Sequence, residues 1–209
     1  MLIVKAGEAE TQAVNAAFAS IAAGQVVSVP TDTVYGLACD AFCREAVERI
    51  YEIKGRSRQK PLVLFVGRVE QALEYGEAPE AVHRLMQRLW PGPVTFVCLA
   101  GDSAPPWTAF GGTVGLRIPN HPVPLELANR LGTALATTSA NLSGRPPALT
   151  AAEVAAMLSE EVALIVDGGA AALGRASTVL DVTGARPRIL REGAGAREVL
   201  RAIEDLWPR

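Results

Sequence analysis

The sequence predicts an α/β fold, with one mixed β-sheet and helices packed on it. Three observations lead there. Apolar residues make up 49% of the 209 positions, enough for a sizeable core in one large domain. Strand-like and helix-like segments alternate along most of the chain. Near the end, Ser177–Val182 and Arg188–Leu190 both read as strands with only a turn between them. A purely parallel, doubly wound sheet would need a crossover there, so the sheet is expected to be mixed.

The elements follow in order. Residues 2–4 read as a short strand. Residues 8–23 place Val14, Phe18 and Ile21 at helical spacing, and Gly24 is a natural stop. Gln25–Val29 is strand-like and is broken by Pro30-Thr31-Asp32-Thr33, after which Tyr35–Ala38 resumes the apolar character. A helix is expected over 43–54, and Pro61–Val66 reads as a buried strand. Helices follow near 69–75 and 79–89, the second opened by Pro79 and stopped at Trp90-Pro91-Gly92-Pro93. Further strands are expected at 94–99, 113–118, 134–138 and 164–166. The spacing predicts helices at 123–131, after the capping-box residues Thr150 and Glu153, and near 196–206. Residues 102–112 are rich in Pro, Gly and small polar side chains and read as a loop able to cover a pocket. No repeat and no linker separates two cores, so residues 1–209 are taken as a single domain.

Composition excludes several classes. The formal net charge is −2, so no global basic field recruits nucleic acid. Cys39, Cys43 and Cys98 lack the pair-of-pairs spacing of a zinc site, and His83 and His121 are the only histidines. No protein-held metal is expected, and free thiols suit a reducing cytoplasm. No apolar run approaches the roughly 20 residues of a membrane span. The apolar start of the chain is too short for a signal peptide.

Against this balance, Lys54, Arg56, Arg58 and Lys60 put four cations into seven residues. Unpaired charges resist burial, so the segment is expected in solvent beside the strand that follows it. There it could grip a polyanion such as a nucleoside triphosphate. The plainer reading is a solvated basic helix terminus. Polar clusters recur just past expected strand ends: Thr31/Asp32/Thr33, Arg117, Thr137/Thr138/Ser139/Asn141, Ser177/Thr178 and Arg191. Strand ends are where α/β sheets build ligand crevices. Each cluster alone is explained by turn and cap chemistry, and together they suggest a common pocket.

Absent motifs narrow the chemistry. There is no P-loop pattern and no G-x-S-x-G. Gly193-Ala-Gly195 begins like a dinucleotide fingerprint, but Glu198 stands at the third glycine, so it reads as a strand-to-helix turn. Neither histidine has a claim to general-base work. A site of cations, hydroxyls and amides suits a nucleophile that belongs to the substrate, as in phosphoryl or nucleotidyl transfer.

These stretches together resemble one family. VPTDTVYGLACDA, IKGRSRQKPL, LWPGPVTFV, GLRIPNHPVPLELA, TTSANLSGRPP and the ASTVLDV…ILREGA tail are similar to the YrdC/TsaC family, in order from about residue 25 to 195. The resemblance implies a twisted mixed sheet with a large basic cavity. It also implies an L-threonylcarbamoyladenylate synthase, which joins L-threonine, bicarbonate and ATP with release of pyrophosphate. That product feeds N6-threonylcarbamoylation of adenosine 37 in tRNA, with partner proteins performing the transfer.

The resemblance assigns Thr33, Arg117, Thr137 and Ser177 to threonine. It assigns Arg56, Lys60, Thr113, Ser139 and Arg191 to ATP, with Lys54 and Arg56 as catalytic cations acting with Mg²⁺ on the departing pyrophosphate. Asn141 reads as a weaker candidate that holds its turn, and Arg58 reads as solvated charge. Phe65 departs from members that carry a histidine touching threonine at that position. The chain resembles the short, single-domain form. Two other readings stand beside this one: a carbamoyltransferase domain using carbamoyl phosphate, and a non-catalytic module with weak RNA binding.

Overall fold

The computed structural model describes residues 2–5 and 10–207. Eleven strands and seven helices alternate in the order β1 (Leu2–Lys5), α1 (Glu10–Ala22), β2 (Val27–Val29), β3 (Gly36–Asp40), α2 (Arg44–Lys54), β4 (Val63–Phe65), α3 (Val69–Tyr75), β5 (Gly76–Glu77), α4 (Glu80–Leu89), β6 (Val94–Ala100), β7 (Thr113–Arg117), α5 (Pro122–Leu131), β8 (Leu135–Ser139), α6 (Ala151–Leu158), β9 (Leu164–Asp167), β10 (Thr178–Asp181), β11 (Arg188–Arg191) and α7 (Ala196–Leu206). The helix expected from residue 8 is described from Glu10, and β5 is a two-residue strand the sequence did not suggest.

All strands join one sheet in the order β1-β9-β2-β3-β8-β4-β7-β6-β10-β11, with β5 added beside β6. It is mixed, as expected: β4 runs parallel to β7, whereas β8 is antiparallel to β4 and β6 to β7. The closing strands β10 and β11 form the antiparallel pair predicted from their short connection.

Alternation along the strands divides the core in two. On β8, Leu135 packs with α1 and α5 residues such as Val14, Ile21 and Leu127, while Ala136 faces Tyr35, Ile50, Leu64, Leu85 and Phe96. On β4, Phe65 belongs to the first side and Leu64 to the second. The second side is the larger core.

Local signals explain the ends of several helices. Gly55 and Gly132 terminate α2 and α5 in the left-handed region, at φ 55° and 71°. Thr150 caps α6 by accepting from the Glu153 amide, while the Glu153 carboxylate accepts from Leu149 and not from the cap residue itself. His121 caps α5, its Nδ1 accepting from the Val123 amide at 3.2 Å. Gly193 and Gly195 form the expected turn. A side chain on Gly193 would fall 2.2 Å from the Ala176 carbonyl oxygen, and Gly195 holds φ at 79°. Among the described residues, no helix is long and apolar enough to cross a membrane.

The loop over 102–112 is not a cover for the site. Trp107 Nε1 donates to the Ala41 carbonyl at 2.8 Å, and Thr108 is buried with its hydroxyl on Pro105 O. None of these residues lines the cavity described next.

Candidate active site

The cavity has a volume of about 240 Å³ and lies on one face of the middle of the sheet. Its floor takes alternate residues from five neighbouring strands: Thr137 and Ser139 of β8, Val63 and Phe65 of β4, Thr113, Gly115 and Arg117 of β7, Thr95 and Val97 of β6, and Val179 of β10. Period-2 geometry explains the set, because residues two apart on a strand share a face. Five of the ten expected site residues, Thr113, Arg117, Thr137, Ser139 and Arg191, therefore lie within strands and not beyond their ends. Walls come from the Thr31–Gly36 turn, from Arg56 and Pro61, and from Ala176, Ser177 and Arg191.

Eight of the ten expected site residues meet here: Thr33, Arg56, Thr113, Arg117, Thr137, Ser139, Ser177 and Arg191. Lys54 and Lys60 are not among the lining residues. Lys60 is exposed on the turn after α2, its amide donating to the Ser57 carbonyl.

Lys54 corrects the expectation of a solvated cation. It is only 3% exposed, and its ammonium donates to Ser139 O at 2.6 Å, Asn141 O at 2.8 Å and Asn141 Oδ1 at 3.0 Å. Its three protons are thereby committed, so burial is tolerated. Burial and the nearby charge of Arg56 draw its pKa down to about 8, while the three acceptors favour the charged form. Lys54 holds the end of α2 to the 139–141 turn. Asn141 completes that turn with Nδ2 on Leu142 O and Arg145 O.

Arg117 is almost fully buried, at 4% exposure. Nη2 donates to Asp32 Oδ1 at 2.6 Å, Nη1 to Thr33 Oγ1 at 3.0 Å and Nε to Gly92 O at 2.9 Å. Its guanidinium lies 5.4 Å from the Phe65 ring centroid, a cation–π contact. Burial pulls its pKa down, Asp32 pushes it back up, and Arg191 lowers it again.

The other two guanidiniums have no acid partner among the described residues. Arg56 Nη1 donates to Thr138 Oγ1 at 2.8 Å and Nη2 to Pro61 O at 3.3 Å, leaving Nε buried without a partner. Arg191 donates to Ser177 O at 2.9 and 3.2 Å. Burial lowers both pKa values, and Arg191 adds repulsion at Arg56. Three positive groups and one buried carboxylate leave the cavity suited to an anion. Arg58, by contrast, is exposed and pairs with Glu48 at 3.3 Å.

Asp32 and Thr138 were named in polar clusters without a role, and Thr95 escaped sequence reasoning. Asp32 was noted only as a turn residue, and nothing local links it to Arg117, 85 positions away. Thr138 receives Arg56, and Thr95 shares a 3.0 Å hydrogen bond with Ser177. The alternation of Thr95 with Val97, and of Thr113 with Gly115 and Arg117, was the available signal for a polar-lined sheet face.

Comparison with known proteins agrees with this fold. The Sua5/YciO/YrdC family model, described as "Telomere recombination", matches residues 19–193. A threonylcarbamoyl-AMP synthase of Bacillus subtilis is 41% identical over 182 residues, 86% of this chain and 53% of that protein. A putative threonylcarbamoyl-AMP synthase of Mycobacterium tuberculosis is 38% identical over 195 residues, covering 91% of this chain and 88% of that protein. The crystal structure of P. abyssi Sua5 complexed with L-threonine superposes with a TM-score of 0.88 at 35% identity, over 97% of this chain and 61% of that one. The chain thus spans about half the length of the Bacillus relative and under two thirds of the P. abyssi protein. A match over most of the sequence, with the same fold, settles the relationship: the chain belongs to the Sua5/YciO/YrdC family.

Proposed function

We propose that this chain is a threonylcarbamoyl-AMP synthase. The supporting observation is the convergence of Arg56, Arg117 and Arg191 with Thr33, Thr137, Ser139 and Ser177 on one cavity, in a chain whose relatives bear that name. The P. abyssi relative was crystallised with L-threonine, which supports an amino-acid subsite here.

In this reading Arg117 takes the threonine carboxylate on N–H groups not used by Asp32, Thr33 and Gly92. The threonine amine and bicarbonate condense to a carbamate with loss of water. A carbamate oxygen then bonds to the α-phosphorus of ATP, and the bond to the bridging oxygen breaks, releasing pyrophosphate. Arg56 and Arg191 neutralise the triphosphate, with Thr113 and Ser139 beside the nucleotide and exposed Lys60 as an outer cation. Lys54 acts by positioning the Ser139–Asn141 turn and not by touching phosphate.

No carboxylate lines the cavity, so the residues present do not form a Mg²⁺ cage. Any Mg²⁺ arrives on the phosphates of ATP. The product would serve proteins that transfer the threonylcarbamoyl group to tRNA, and three free cysteines suit a cytoplasmic setting.

The decisive assay is pyrophosphate release with ATP, bicarbonate and L-threonine, with the adenylate identified by mass. Release that needs all three supports the assignment. Release with carbamoyl phosphate in place of threonine and bicarbonate would replace it. Salt-dependent tRNA binding without turnover would favour an RNA-binding module.

A further inference from the structure

The stretch from Trp90 to Val97 carries no cation, yet it reaches two of the cavity's three guanidiniums. Gly92 does so directly, its carbonyl accepting from Arg117 Nε at 2.9 Å. Thr95 does so through a neighbour. It lies on the cavity floor, 2% exposed, with Oγ1 at 3.0 Å from Ser177 Oγ. Ser177 in turn takes three contacts from Arg191: Nε on the carbonyl at 3.2 Å, Nη2 on the carbonyl at 2.9 Å and Nη2 on Oγ at 3.3 Å.

Arg191 needs an anchor. It is exposed, stands on the edge strand β11 and has no acid partner among the described residues. Beyond burial, its charge adds to the lowering of the pKa of Arg56 and of Arg117, so it repels both. A cation so placed turns to solvent unless hydrogen bonds hold it over the cavity.

We propose that Thr95 is a positioning residue for the nucleotide half of the site: its hydroxyl fixes Ser177 Oγ, so that Ser177 offers two oxygens to one edge of Arg191 and keeps it over the cavity. This rests on the reading of Arg191 as a cation that neutralises the triphosphate. Either oxygen can donate in the contact between Thr95 and Ser177, so the link holds whichever hydroxyl supplies the proton. The surroundings set its direction. β6 lies between β7 and β10, and the Thr95 methyl faces Gly115 of β7, 3.6 Å from where a Cβ there would stand. The hydroxyl is thereby turned to Ser177, the residue before β10. The Ser177 carbonyl is held by close packing, since a Cβ on Gly193 would fall 2.5 Å from it. Thr95→Val sets a methyl against Ser177 Oγ, frees that hydroxyl to rotate and leaves Arg191 the carbonyl alone.

The test is a double-mutant cycle with Arg191. ATP binding by calorimetry, and kcat/KM for ATP in pyrophosphate release, are measured for wild type, Thr95→Val, Thr95→Ser, Arg191→Ala and the double variant Thr95→Val/Arg191→Ala. Thr95→Val should weaken ATP binding and lower kcat/KM by about tenfold, the size of a lost hydrogen bond in a charged network. Thr95→Ser, which keeps the hydroxyl, should recover most of that loss. In the Arg191→Ala background Thr95→Val should add less than about twofold, because the group it positions is gone. A full tenfold loss in that background, equal losses in Thr95→Val and Thr95→Ser, or unchanged ATP binding in Thr95→Val would overturn the inference. If Thr95→Val does not fold, Ser177→Ala removes the same link from its other end and takes its place in the cycle, with the same coupling expected. Wild type that binds L-threonine but no ATP would instead overturn the nucleotide reading of Arg191, and this inference with it.

Discussion

The two ends of the cavity solve the problem of buried charge differently. At the Arg117 end, the guanidinium is nearly inaccessible and already neutralised by Asp32 at 2.6 Å. At the Arg56 and Arg191 end, Arg56 is half-buried, Arg191 is more exposed, and both lean on neutral oxygens alone. A pre-neutralised cation can recognise a small ligand by geometry without depending on it for stability. Unpaired cations are poised for a highly charged ligand, whose arrival relieves repulsion. The contrast fits a zwitterionic amino acid at one end and a triphosphate at the other.

Breaking the first end should have the largest effect on the fold. Arg117→Ala strands the Asp32 carboxylate, already carrying one unsatisfied buried oxygen, and should cost about 3–5 kcal/mol by urea unfolding. Adding Asp32→Asn should recover part of that loss. A cost below about 1 kcal/mol would mean that the pair is not mutually dependent.

At the other end the fold should not suffer. Arg56→Ala should lower pyrophosphate release about 100- to 1,000-fold, as for the loss of an electrostatic donor. The melting temperature of the ligand-free protein should hold or rise. Full activity in this variant would remove the phosphate role from the half-buried end.

Lys54 sharpens the comparison, because it is a cation of the same basic loop used for structure. Its folded pKa, about 8, lies below the ordinary 10.5. The unfolded chain therefore binds more protons across that window, and stability rises with pH through it. The advantage of wild type over Lys54→Met should grow by at most about 1.4 kcal/mol per pH unit between those values. A flat difference in denaturation midpoints would place the titration elsewhere.

The smallest effect is expected at Phe65. Phe65→Leu removes the ring beneath Arg117, worth about 0.5–2 kcal/mol. It should raise KM for threonine while leaving kcat nearly unchanged. A fall in kcat with unchanged KM would give the ring a role in chemistry.

Much of the fold was legible before any coordinates. Helical spacing and the stops at Gly24 and Trp90-Pro91 located the helices to within a few residues. The short connection between β10 and β11 revealed an antiparallel pair and hence a mixed sheet. The two-residue β5 left no sequence signal, being set by pairing with Leu99 and Ala100. For the site, the residue types were right and their setting was not. Arg117, Thr137 and Ser139 were placed past strand ends, yet they lie within strands on one face.

The sequence by itself determined the periodicities, caps and breaks, because these depend on neighbours within a few positions. It also determined the supply of cations and hydroxyls from which a site could be made. Only the tertiary structure decided that Lys54 serves the 139–141 turn, while Arg56, two residues on, serves the cavity. It alone decided that Asp32 answers Arg117 from 85 positions away. The physical reason is that a charge's role is set by which groups replace its lost water, and those groups arrive from distant strands when the sheet closes.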